Sequence, residues 1–230
     1  MPATGPADIV RHQIHTVLDT PRIADLVAAY FHPDGPFAGA TFDTLGDNPP
    51  NEVTRDDLLA ATLLDISWRP LAVRRLEAER DHVGVMLARI PLNRDLWEAT
   101  PSELQAAEDP YRWLDGLPYV GATIASKLLA RKRPRLVPIY DTVVQDLLTT
   151  PEDQFWTTLA DALTDPGMRD DIERLRPTTA PTVSVLRLLD VAIWMRGSRS
   201  STARAARAAT GIDAVAAQAR YAPGRLTESE

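Results

Sequence analysis

The residues of this 230-residue sequence that could do chemistry together lie between Leu117 and Asp141. Leu117-Pro118-Tyr119-Val120-Gly121 predicts a tight turn, and Ala122 to Arg131 a helix after it. A hairpin between two short helices points unpaired amides outward at the start of the second one. Those amides, backed by the helix dipole, suit a phosphate oxygen. Ala125 is small enough for the two helices to pack closely. Arg131, Lys132, Arg133 and Arg135 then put four cations within five residues beside the hairpin, a candidate phosphate clamp. The plain alternative is a solvated basic loop, partly neutralised by Asp146 and Glu152. Asp141 stands at the next helix start, where its plain role is to cap the amides of Val143 or Val144.

The joint pattern resembles the helix-hairpin-helix DNA glycosylase superfamily. That family carries Leu-Pro-Gly-Val-Gly, a helix with an alanine four places after the second glycine, and then Val-Asp-Thr-His-Val. Ala125 takes the alanine position, and the segment Val137-Pro138-Ile139-Tyr140-Asp141-Thr142-Val143-Val144 takes the last. The distance from Leu-Pro to the aspartate agrees, without a gap, with one branch of the superfamily. The match covers about a tenth of the chain.

The resemblance implies an all-α, two-lobed, DNA-glycosylase-like fold with a cleft near Asp141. It implies that Asp141 is catalytic, activating water or stabilising the sugar cation as the N-glycosidic bond of an extruded nucleotide breaks. Hairpin amides from Tyr119 through Gly121 to Thr123 would hold phosphate, with Lys127 and the basic run nearby, and a monovalent cation could sit at the hairpin. No other cofactor is expected. Tyr119 and Tyr140 are candidates for stacking on a base, against the plainer role of packing between helices.

Three departures from the family bear on function. Tyr119 replaces the first hairpin glycine and is not suited to positive φ. Thr123 stands where bifunctional members carry a Schiff-base lysine. Lys127 lies one turn later, displaced along the axis, and is not expected to substitute. Val143 replaces the histidine of Asp-Thr-His. Lyase activity is therefore not expected. The runs Ala125 to Arg135 and Trp194 to Arg196 also resemble a set of proteins of high-GC bacteria without an assigned activity.

Two functions follow as expectations. One is a monofunctional N-glycosidase acting on a nucleobase, in nucleic acid or in a nucleoside-like substrate. The alternative is a non-catalytic helix-hairpin-helix module binding nucleic acid or a protein partner.

The elements that must position these residues are helical, since apolar residues recur at helical spacing and no alternating β-branched run is present. Ile9 to Tyr30 predicts one or two helices with Pro21 at a restart. Phe31 to Asn51 predicts a long loop with a short extended piece at Ala40 to Phe42. Thr54 is a helix cap with Asp56 and Asp57 in the first turn; the apolar face then runs from Leu58 to Ile66. Helical pieces follow at Pro70 to Arg80, His82 to Arg89 and from Thr100-Pro101. Another opens at Asp109-Pro110 and ends at a left-handed Gly116, and Thr182 to Arg196 is the last well-marked helix. Residues 54–150 form one lobe, carrying the hairpin at about 109–131; residues 1–53 and 151–197 form the other. Residues 198–230 make an Ala/Arg/Ser-rich tail, helical from Ala203 to Tyr221 and disordered at its end.

Composition narrows the chemistry. There is no cysteine, which excludes disulfides, thiolate nucleophiles and cysteine-based metal sites. His12, His15, His32 and His82 are scattered without acidic partners, so no metal site is expected. Trp68, Trp97, Trp113, Trp156 and Trp194 fall on apolar faces as core anchors. Arg204 and Arg207 in the tail read as solvated surface. Net charge is −7, which opposes duplex binding unless positive charge is locally concentrated. Met1 to Ile9 lacks the pattern of a secretory leader, and no stretch approaches the roughly 18 apolar residues of a membrane span. The longest apolar helix, Val183 to Met195, is broken by Arg187 and Asp190. A cytoplasmic location is the expectation.

Overall fold

A computed structural model describes residues 5–211. Among these residues the chain is all-α, with twelve helices, two 3-10 turns and no strand. No helix among them is long and apolar enough to cross a membrane.

α1 (Pro6–Leu18) and α2 (Ile23–Tyr30) are followed by an irregular stretch that forms a 3-10 turn at Ala38–Thr41, where an extended piece was expected. α2 starts at Ile23 rather than at Pro21, with Arg22 left-handed (φ 59°) at its cap. α3 (Arg55–Thr62) begins as the sequence predicts. The Thr54 hydroxyl accepts from the Asp57 amide, and Asp57 accepts from the Thr54 amide at 2.6 Å. It stops short of Ile66, because the chain turns through a left-handed Asp65 (φ 60°). α4 (Pro70–Ala78) and α5 (Arg80–Leu87) follow.

α6 (Pro101–Asp115) runs unbroken through Pro110, where a separate short helix was expected. A mid-helix proline costs about 3 kcal/mol. Here the ring is buried on the same face as Ala107, Tyr111 and Leu114, and that packing holds the helix together. Gly116 ends α6 in ordinary right-handed backbone (φ −70°), so the left-handed stop predicted there is absent. The left-handed residues come later, at Tyr119 and Gly121, both with φ 68°. α7 (Gly121–Lys132), α8 (Thr142–Leu148), α9 (Glu152–Ala162) and α10 (Pro166–Glu173) lead to α11 (Val185–Gly197) and α12 (Ser201–Ala209). α11 starts three residues later than Thr182, because Ser184 caps the Arg187 amide. α12 covers part of the predicted tail helix; the rest of that expectation, and the expectation of disorder after it, fall outside the described residues.

α11 is the central helix, packed against α1, α2, α8, α10 and α12, while α7 packs on α6 and α3. Leu188, Val191, Ala192 and Met195 of α11 are almost wholly buried. Each large side chain among them contributes roughly 1.5–3 kcal/mol of burial free energy.

The basic run at the end of α7 is inside the protein, which corrects the expected exposed clamp. Arg131 is 2% exposed, Lys132 4% and Arg133 1%. Together they tie down the glycine- and proline-rich loop between α2 and α3. Arg131 donates to the carbonyls of Phe42 and Leu45, and Lys132 to Asn48 Oδ1 and the Pro49 carbonyl. Arg133 donates to the Pro50 carbonyl at 2.6 Å and to Asn51 Oδ1 at 2.9 Å. The Phe42 ring lies 5.9 Å from the Arg131 guanidinium and 5.2 Å from that of Arg187. Arg135 is exposed but paired with Asp95. Arg207 is buried too, donating to the Met195 and Ser198 carbonyls, whereas Arg204 is exposed as expected.

Candidate functional site

Asp141 caps α8. Its Oδ1 accepts from the amides of Val143 at 3.0 Å and Val144 at 3.1 Å. That leaves Oδ2, which lies 3.5 Å from Lys127 Nζ. The lysine amine is fixed by a bond to the Leu64 carbonyl at 2.9 Å, presented by the left-handed turn at Asp65. Ser126 sets the register between the two partners. Its hydroxyl accepts from the Tyr140 amide at 3.0 Å and bonds back to the Thr123 carbonyl at 3.1 Å, clasping the segment before Asp141 to α7. Lys127 and Asp141 thus meet, although the sequence placed Lys127 away from the reacting position.

Both residues line a cavity of about 180 Å³ together with Asp190, Arg187, Tyr30 and Trp194. An open groove containing Thr123 and Arg199 joins it, sharing Lys127, Asp141 and Trp194. Arg187 organises the inner wall. It bonds Asp43 at 3.1 Å, the Tyr30 hydroxyl at 3.1 Å, the Gly39 carbonyl at 2.8 Å and Asp190. Gly39 is required here, since a Cβ on it would stand 2.1 Å from the Tyr30 hydroxyl oxygen.

Charge in the cavity is shaped by burial. Burial pushes Asp190 up to about 6; Arg187 and Lys127 work against that rise and Asp141 adds to it. Burial opposes the Arg187 charge, but Tyr30, Asp43 and Asp190 more than offset it. Burial also raises the Tyr30 phenol, which stays neutral. The walls combine three carboxylates (Asp65, Asp141 and Asp190), an ammonium, a guanidinium and a phenol with the rings of Tyr30, Phe37 and Trp194. Such a lining suits a planar, polar, ring-sized molecule. Among the described residues, no three His, Asp or Glu side chains converge in a way that could hold a metal ion.

The other expected site residues disperse. Tyr119 is 64% exposed at the turn before α7, in the positive-φ backbone it was not suited to. The amides of Gly121, Ala122 and Thr123 that follow it have no acceptor among the described residues. Thr123 lines the open groove. Tyr140 is no stacking residue: it is 5% exposed, packs on Phe155 with ring centroids 4.8 Å apart, and donates to the Thr150 carbonyl. Of the tryptophans, Trp156 is buried and Trp68, Trp97 and Trp113 are half-buried against the core. Trp194 does more than anchor, since it faces the cavity.

Tyr30, Gly39, Arg187 and Asp190 were not singled out by sequence. A signal existed for two of them. Arg187 and Asp190 are three apart and interrupt the most apolar helix of the chain, and charges so placed must be paired inside.

No curated protein and no solved structure matches the chain. A family model described as "Family of unknown function (DUF6308)" matches residues 23–197, a span that holds Tyr30, Lys127, Asp141, Arg187 and Asp190. The chain, matched over most of its length from α2 to the end of α11, therefore belongs to the DUF6308 family.

Proposed function

We propose that this chain is a helix-hairpin-helix, DNA-glycosylase-like protein that works as a monofunctional N-glycosidase on a nucleobase, without lyase activity. One observation carries the reading. Asp141 Oδ1 is taken up by the α8 amides, while Oδ2 is left outside those bonds, 3.5 Å from Lys127 Nζ, and both residues line one ring-sized cavity. A carboxylate oxygen fixed in this way can orient water toward the anomeric carbon, or face the positive charge that develops on the sugar as the base departs.

The turn between α6 and α7 supports the hairpin part of the reading. It is left-handed at Tyr119 and Gly121 and leaves the amides of Gly121, Ala122 and Thr123 free for a phosphate oxygen, with or without a monovalent cation. The internal positions of Arg131, Lys132 and Arg133 leave few cations for a long duplex footprint. They favour a substrate contacted over one nucleotide, or a nucleoside-like molecule.

The test is chromatographic detection of free base from nucleosides and from oligonucleotides with modified bases. Asp141→Asn is the informative variant, because asparagine caps a helix nearly as well as aspartate. Base release by the wild type that is lost in a variant of unchanged melting temperature is the expected result. Release retained by Asp141→Asn, or no release by the wild type, overturns the reading.

A non-catalytic module binding nucleic acid or a protein is the second reading, favoured by exposed Tyr119 beside three unpaired amides. It expects salt-sensitive oligonucleotide binding that Tyr119→Ala weakens, with no base release. Neutralising Arg131 to Arg133 would not test it, since those side chains hold the fold.

A further inference from the structure

We propose that Asp190 is a second catalytic carboxylate, the acid that protonates the departing base from the same cavity that Asp141 lines. The inference rests on the N-glycosidase reading above. Asp190 and Asp141 come from different helices, α11 and the start of α8, yet line one cavity of about 180 Å³. Asp141 Oδ1 is taken by the α8 amides, and its Oδ2 keeps only Lys127 Nζ at 3.5 Å. Asp190 Oδ2 accepts from Arg187, and Oδ1 has no hydrogen-bond partner among the described residues. Asp190 is only 9% exposed, so that oxygen can meet little besides the contents of the cavity.

A purely structural ion pair is the competing explanation, and the geometry speaks against its sufficiency. Arg187 already has a carboxylate partner in Asp43 at 3.1 Å, in addition to Tyr30 and the Gly39 carbonyl. A second buried acid is not needed to balance one arginine. The groups facing Asp190 are Arg187 on its own helix, Lys127 from α7 and Asp141 at the start of α8; Tyr30 and Asp43 act through Arg187. Burial and the Asp141 charge favour the protonated form over the opposing cations. Two carboxylates in one site with differently shaped surroundings can divide acid and base roles.

The step balances. The bond from the anomeric carbon to the base nitrogen breaks, its electron pair goes to the base, and the base takes the Asp190 proton. Water adds to the anomeric carbon and yields its proton to Asp141 Oδ2. That proton passes to solvent, solvent reprotonates Asp190, and the net reaction is hydrolysis to free base and sugar.

The experiment compares a nucleoside, whose base leaves poorly without a proton, with 4-nitrophenyl riboside, whose leaving group needs none. Asp190→Asn is expected to lower turnover of the nucleoside by ~10²–10⁴-fold. It should leave turnover of the nitrophenyl substrate within about tenfold of wild type, and Asp141→Asn should lose both. The wild-type rate on the nucleoside should fall as pH rises above about 6, and the fall should vanish on the nitrophenyl substrate. Equal losses on both substrates, or none on either, overturn the role of Asp190 while leaving that of Asp141 standing. No turnover of either substrate by the wild type overturns both. If asparagine does not support the fold around Arg187, Asp190→Glu reads the same point: the alkaline limb must move, and an unmoved limb overturns the proposal.

Discussion

Arg131 Nε lies 2.8 Å from Asp57 Oδ1, with both side chains wholly out of solvent. Lys132 Nζ meets the other oxygen at 2.5 Å, so one carboxylate at the start of α3 faces two cations at the end of α7. Burial lowers the Lys132 pKa, and Asp57 opposes that shift. The triad joins the loop that carries Gly39 and Asp43 to the helix that carries Lys127. It therefore bears on the cavity without touching it.

Asp57→Asn keeps the shape of the side chain and removes the charge, leaving Arg131 and Lys132 buried without an anion. Breaking a buried pair in this way costs about 3–5 kcal/mol. Urea unfolding of the variant is expected to show a loss of that order. A loss below about 1 kcal/mol would mean that the two cations reach water, and that the loop is not held by them.

The contrast between this triad and its sequence reading has a physical basis. Thr54 as a cap with Asp57 in the first turn, and Asp141 at the start of α8, were legible because capping is decided within four residues of chain. The basic run was not legible. Its partners are carbonyls of Phe42, Leu45, Pro49 and Pro50, more than eighty residues earlier, and nothing local distinguishes a solvated arginine from one that satisfies a distant loop. Pro110 misled for a related reason, because the packing that tolerates it is tertiary. Half of the cavity was visible as the segment from Lys127 to Asp141. The other half came from α2, the loop after it and α11, and only the charged pair in an apolar helix hinted at it.

Tyr119 offers a test of the turn between α6 and α7 that is independent of the proposed activity. A non-glycine residue in left-handed backbone costs roughly 1–2 kcal/mol. Glycine would remove that cost and return about 0.4–1 kcal/mol through the greater freedom of the unfolded chain. Since the ring is 64% exposed, little packing is lost. Tyr119→Gly is therefore expected to raise the melting temperature slightly, by the equivalent of about 0.5–1 kcal/mol, in a calorimetric scan. A lowered melting temperature would show that the ring, and not the backbone, dominates at this turn. If the raised stability comes with weakened ligand binding, the tyrosine is kept for contact rather than for fold.

Asp190 also makes a prediction about stability that needs no substrate. Its pKa rises from an ordinary 3.8 to about 6 in the folded protein, first because it is buried and then because Asp141 is near. Between those two values the folded state holds more proton than the unfolded state, so stability from this group falls as pH rises from about 4 to about 6. It is fully present below that window and lost above it, opposite to a carboxylate whose pKa is lowered by folding. A shift of this size caps the effect at about 3 kcal/mol, with the opposing Arg187 contact already included in it. Asp190→Asn cannot titrate at this position. The difference in unfolding free energy between wild type and variant should therefore move against the wild type across the window and stay flat above pH 7. A difference that moves the other way would mean that Arg187 holds Asp190 ionised throughout, which would leave the cavity without its acid.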